Sequence, residues 1–266
     1  MKFRLGSFFN IYMKMHKLKF VLSFIILLLG NILITQKIYC QSSLNVNKVI
    51  YRLKPPERLK DKEFNKEEID DMLKFEQAYE KVECELYYTK NKSVFTIVEQ
   101  PLSHENIDYY ALVASLVSNK YYLNLDSQKK ICYEEMGGER LNVILPFDQY
   151  KWEILTETKK INNYTCYKAI CTWNDFNIRS NSTSVYNSEV WFTPEIPSSF
   201  GPMGLDGLPG LVLEANYGAG GIHFYAVKIE FNVENPKVKL DPPTVKNITE
   251  VEHQNRLIQE YDKMGR

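Results

Sequence analysis

The stretch that decides the fold is Phe200-Gly-Pro-Met-Gly-Leu-Asp-Gly-Leu-Pro-Gly-Leu-Val-Leu-Glu214. It sets Gly201, Gly204, Gly207 and Gly210 among Pro202, Pro209 and four leucines. Pro209 fixes φ near the value needed at the second position of a turn, and Gly210 reads as the positive-φ third position of a type II turn. Beyond it, Leu211, Leu213, Ala215 and Tyr217 alternate with Val212, Glu214 and Asn216. That period of two marks a half-buried strand. The stretch therefore reads as a tight connection between strands, since Gly/Pro clusters mostly mark turns. The competing reading is a recognition loop whose glycines admit a partner's backbone. It is not a P-loop, because no Gly-Lys-Ser/Thr follows. Nor is it a nucleophile elbow, because it holds no Gly-x-Ser-x-Gly.

Gly207-Leu-Pro-Gly-Leu-Val212 resembles the signature of the GLPGLI family of exported proteins from Gram-negative bacteria. The likeness runs back through Gly201-Pro202 and Trp191-Phe-Thr-Pro-Glu-Ile-Pro197 to Tyr164-Thr-Cys-Tyr-Lys-Ala169. Val212 replaces the signature's final Ile, and Asn163 stands where Gly is usual. The resemblance implies export, a β-rich fold and a role beside outer-membrane receptors. It supplies no activity and no catalytic residues. The binding candidates are those of the signature stretch: Trp191, Pro197, Gly201, Pro202, Gly207, Leu208, Pro209, Gly210, Leu211 and Glu214.

Residues 1–40 carry Lys2, Arg4, Lys14, Lys17, Lys19 and Lys37 and no acid, and enclose an apolar run from Phe20 to Ile34. A basic start before a short apolar run is a secretory signal peptide, and the run falls short of the ~20 residues a spanning helix needs. Lys37, Ile38 and Tyr39 are not the small residues a lipoprotein site prefers before Cys40, so cleavage is expected between Cys40 and Gln41. The basic region is long, which makes Met13 or Met15 a candidate start. Residues 41–266 are then one β-rich domain without a membrane span. A strand and a helix lie at its margin over 41–81, and a terminal helix lies over 247–266. The whole chain has 33 basic and 33 acidic residues. Removing six basic ones leaves the mature chain near −6, and without a basic cluster it is a poor nucleic-acid binder.

Four cysteines remain, Cys84, Cys132, Cys166 and Cys171. An even count in an exported chain predicts at least one disulfide. Cys166 and Cys171 are five apart in a strand-like run, so they leave on opposite faces and lie beyond the ~7 Å Cα limit for a bridge. No Cys-x-x-Cys spacing suggests a metal.

Strands are expected from Leu44 to Leu53, with Val49, Tyr51 and Leu53 on one face. Further strands are expected over Val82–Thr89 and Ser93–Glu99, over Tyr121–Leu125 and Ile131–Glu135, over Ile161–Trp173, and over Val185–Thr193 after a polar loop at Asn174–Ser184. Tyr225, Val227, Ile229 and Phe231 read as the inward face of a later strand. Asn65 with Glu68 opens a helix over Lys66–Lys81. A second helix over His104–Ser118 would present Ile107, Tyr110, Ala111, Ala114 and Val117. Thr249-Glu-Val-Glu252 opens a terminal one as a capping box. Many short strands with helices only at the margins argue a mainly β fold, an antiparallel curved sheet or partly open barrel.

Little of this carries chemistry. Glu189, Glu195, Asp206 and Glu214 are the acids near the glycine stretch, but Glu214 lies on the outward parity of its strand. His223 reads as a core-edge residue, and His104, His223 and His253 show no metal spacing. Trp173, Trp191 and Phe192 are candidates for an apolar groove. The residues thus predict an exported envelope protein, periplasmic or outer-membrane-associated, that binds an apolar or peptide ligand without catalysis or cofactor. A secreted hydrolase assembled from distant residues is the alternative.

Overall fold

The computed structural model describes residues 45–56, 64–99, 107–177, 182–218, 221–234, 236–263 and 265. The leader, its cleavage point, Cys40 and His104 lie outside these. The described residues are mainly β, 48 % strand, with three helices and one large open sheet.

The strands are β1 (Asn47–Lys54), β2 (Glu83–Tyr88), β3 (Lys92–Ile97), β4 (Lys120–Asn124), β5 (Lys129–Met136), β6 (Glu139–Leu145), β7 (Glu153–Ile161), β8 (Tyr164–Asn177), β9 (Ser182–Thr193), β10 (Leu211–Tyr217), β11 (Ile222–Glu230) and β12 (Lys246–Thr249). The helices are α1 (Lys66–Lys81), α2 (Ile107–Ser115) and α3 (Glu250–Lys263). The twelve strands run in the order β12-β6-β5-β4-β3-β2-β1-β11-β10-β9-β8-β7. Neighbours are antiparallel except β12, which joins β6 in parallel.

The sheet curls upon itself. Tyr51 on β1 donates to the Val212 carbonyl at 2.5 Å, and Lys130 on β5 reaches Asp206 just before β10. The concave side is filled by one core that includes Tyr51, Phe95, Trp173, Leu213 and Phe224. Burying aromatic and branched side chains on one face of period-two strands is what holds such a sheet.

Capping decides the helix starts. Asn65 accepts from the Glu68 amide at 2.9 Å, while Glu68 accepts from the Asn65 amide at 2.9 Å. Thr249 and Glu252 make the same exchange at the head of α3. No helix among the described residues is long and apolar enough to cross a membrane.

Several expectations need correction. On β11 the buried residues are Ile222, Phe224 and Ala226, whereas Val227 and Phe231 are exposed. Both parities there are apolar, so periodicity left the register open, and pairing to β1 and β10 fixed it. In α2 the buried residue is Val113, and Ile107 faces solvent. Asn174–Asn177 continue β8, and the strands β6 and β12 lie in segments where no strand was expected.

The disulfide is also not formed in this structure. The four cysteines are all buried and no two are bonded. Cys84 lies on β2, Cys132 packs with Leu141, Val143 and Ile248, and Cys166 and Cys171 leave the unbroken β8 on opposite faces. Cys84, Cys166 and Cys171 pack in the main core and Cys132 in the smaller cluster.

Candidate functional site

After β9 the glycine stretch turns inward and plugs the concave side. Phe200, Leu205 and Leu208 are buried in it, and Pro202–Gly204 form a 3-10 turn. Positive φ occurs at Met203, Gly204 and Gly207, not at Gly210. The expected type II turn is therefore corrected. Gly210 is needed for a different reason: a Cβ there would overlap the Thr193 carbonyl and stand 2.8 Å from the Pro194 nitrogen. A Cβ on Gly201 would meet Val212 Cβ at 2.9 Å.

Asp206 anchors the plug. Its carboxylate meets Lys130 Nζ at 3.1 Å with both side chains almost fully buried. The ammonium also lies 4.1 Å from the Tyr150 ring centre, and Trp152 Nε1 donates to the Asp206 carbonyl at 2.6 Å. Burial pushes Lys130 down and Asp206 up, each against the attraction of the other.

Trp191 and Glu214 are cross-strand partners on the outer face. Lys159 serves both, bonding Glu214 at 2.7 Å and lying 4.2 Å from the Trp191 ring centre. His223 adds a contact to Glu214 at 2.9 Å. Burial would raise the Glu214 carboxyl, but the bonds from His223 and Lys159 outweigh it and hold it at about 2. His223 thus sits on the outer face of β11 as a partner of Glu214. The ten signature residues do not converge. Gly201, Pro202, Leu208, Gly210 and Leu211 are buried, whereas Pro197, Gly207 and Pro209 are exposed.

A cavity of about 210 Å³ lies instead between the curled sheet and α3. Tyr121, Tyr150, Trp173 and Tyr217 form aromatic walls, with Trp173 5.4 Å from Tyr217 and 5.9 Å from Tyr150 between ring centres. The Tyr150 and Tyr217 hydroxyls are hydrogen-bonded, and Tyr121 is hydrogen-bonded with Cys132. Glu134 enters from β5, His253 from α3 and Gln149 from the loop before β7. Glu134 Oε1 and His253 Nε2 are 2.8 Å apart. They miss hydrogen-bond geometry, and with Gln149 Oε1 they have no hydrogen-bond partner among the described residues.

Of the expected groove residues, only Trp173 reaches this cavity; Phe192 is buried and Trp191 faces outward. Sequence reasoning missed Lys130 and Glu134. Both share the parity of apolar Cys132 on one strand, which places them on the inward face. A wider, more open hollow of about 370 Å³ lies across the same strands beneath Pro242 and Pro243. Asn142, which lines it, is bonded to the Pro243 carbonyl and to Asn247. No group of three His, Cys, Asp or Glu among the described residues is placed to hold a metal.

Residues 177–214 match the model of a protein family of unknown function, Porph_ging. That span ends at Glu214 and includes the whole glycine plug. No curated protein matches the chain. Among solved structures, PNGF-II in the C2 space group is similar at 14 % identity and a TM-score of 0.48, covering 80 % of this chain and 32 % of that one. PNGF-II in the P21 space group gives 13 % and 0.48, covering 80 % and 33 %. The chain thus spans about a third of the PNGF-II chains. LprF from Mycobacterium bovis is similar at 10 % identity and a TM-score of 0.25, covering 76 % of this chain and 90 % of that one.

Proposed function

We propose that this is an exported binding protein of the cell envelope, of the GLPGLI type, matured at Gln41 as one domain over 41–266. Its ligand occupies the aromatic cavity between the sheet and α3. One observation carries the reading: large aromatic walls surround a few buried polar atoms that make no hydrogen bond among the described residues. That combination is the usual make-up of a binding pocket. An outer-membrane receptor is the partner the signature resemblance suggests.

The glycine stretch supports the site and does not contact the ligand. It holds Asp206, which holds Lys130, which backs the Tyr150 ring of the cavity wall. A hydrolase is the second reading, favoured only by the approach of Glu134 to His253.

The test is recovery of the protein from its own envelope, with mass spectrometry of what accompanies it. Leu257 lines the cavity, and Leu257→Trp is expected to abolish the co-purified molecule while the fold persists. An unchanged molecule on the variant would overturn the reading.

A further inference from the structure

We infer that the cavity takes a cationic amine or guanidinium group. The inference rests on the reading of that cavity as the ligand site, and it names the chemistry of the ligand.

Three observations point the same way. The first is charge: the described residues lining the cavity include Glu134 and Glu250 and no lysine or arginine. The buried Lys130 is committed to Asp206 beside the Tyr150 ring. The second is hydrogen bonding. Glu134 Oε1 and Gln149 Oε1 accept, and His253 Nε2 donates or accepts according to its tautomer. Glu134 Oε1 and His253 Nε2 face one another at 2.8 Å without hydrogen-bond geometry, and Gln149 Oε1 has no hydrogen-bond partner among the described residues. An alkylammonium presents three donors and no acceptor, the complement of this set. The third is the wall. The faces and edges of Trp173, Tyr150 and Tyr217 surround the same space, and aromatic rings attract a cation within about 6 Å of their centres.

Other ligand classes fit less well. An anion would meet Glu134 and Glu250 and no lysine or arginine among the described lining residues. A purely apolar group would seal the Glu134 and Gln149 oxygens from water without replacing their bonds, which is costly. The cavity, at about 210 Å³, falls below the ~300 Å³ where drug-sized pockets begin. It suits one amine-bearing chain such as a lysine side chain, an arginine side chain or a short free amine.

Calorimetric titration of the purified full chain tests this at neutral pH. The probes are n-butylamine and an end-blocked Gly-Lys-Gly peptide. Each is compared with a neutral counterpart, n-pentanol and the norleucine peptide. The cations are expected to bind at least tenfold tighter than the neutral counterparts. Glu134→Gln should remove at least tenfold of that affinity, and Glu139→Gln, on the surface beside Arg256, should remove none. Tighter binding of the free amine assigns a small metabolite amine, and tighter binding of the peptide assigns a protein side chain; either supports the inference. Equal binding of neutral and cationic probes overturns it, as does a Glu134→Gln variant that titrates like the parent. Should that variant fail to fold by circular dichroism, the comparison of probes on the parent chain decides. Neutral probes that bind alone sink the cation while the cavity remains a site. If no probe binds and Leu257→Trp still recovers its molecule from the envelope, both readings fall.

Discussion

Gly210 lies flat against the Thr193 carbonyl, leaving no room for even one side-chain carbon. This contact closes the plug where β9 leaves the sheet and β10 re-enters it. It also separates two kinds of glycine in one short stretch. Gly204 and Gly207 are required by positive φ, whereas Gly210 is required by crowding.

Gly210→Ala must move backbone, so it is expected to cost about 3 kcal/mol or more. Gly207→Ala meets nothing closer than Trp152 at 3.8 Å. It should cost only the left-handed strain, about 1–2 kcal/mol. Denaturant melts of the two variants give the order. Equal midpoints would contradict the crowding argument.

Lys130 and Asp206 should behave as a unit. Lys130→Met or Asp206→Asn alone strands a buried group and is expected to cost about 3–5 kcal/mol. The double variant Lys130→Met, Asp206→Leu should recover most of that loss. A thermodynamic cycle from urea melts reads the coupling, and additive losses would rule it out.

Glu214 gives the fold a pH dependence. Its folded carboxyl is held at about 2, below the ~4.3 of an unfolded glutamate. A depressed value stabilises the fold above the unfolded value, and that stability fades as pH falls from about 4.3 toward 2. The difference corresponds to up to about 3 kcal/mol. Glu214→Gln should therefore lower stability at neutral pH and flatten the acid limb of the stability curve. Its outward parity alone suggested a silent change.

The thiols should be protected by burial. Burial pushes Cys166 up to about 11 and raises Cys84 and Cys171. Alkylation of the native chain at neutral pH is expected to be slow, with Cys84, Cys132, Cys166 and Cys171 all labelled after unfolding. Resistance of a pair to alkylation in denaturant without reductant would reveal a disulfide instead.

If the proposed export holds, the mature product begins at Gln41. Intact-mass measurement checks it, and a retained leader or a lipidated Cys40 would exclude it.

The local signals in the chain were sufficient for much of the fold. Alternation gave most strands, and Val49, Tyr51 and Leu53 do face the core. Asn65 with Glu68, and Thr249 with Glu252, marked their helices because a capping box is complete within four residues. Period two fails where both parities are apolar, as along Ile222–Phe231, because only pairing with β1 and β10 selects the buried face.

The candidate site was not legible in this way. Lys130 and Asp206 are 76 residues apart, and Glu134, Gln149 and His253 come from a strand, a loop and the terminal helix. By itself the sequence determined a β-rich chain, the starts of its first and last helices and the glycine stretch as a connection between two strands, since these depend on neighbours along the backbone. Only the tertiary structure decided how the sheet curls, which acids are paired and where the cavity lies. Those depend on contacts between distant strands, for which no local spacing is a code.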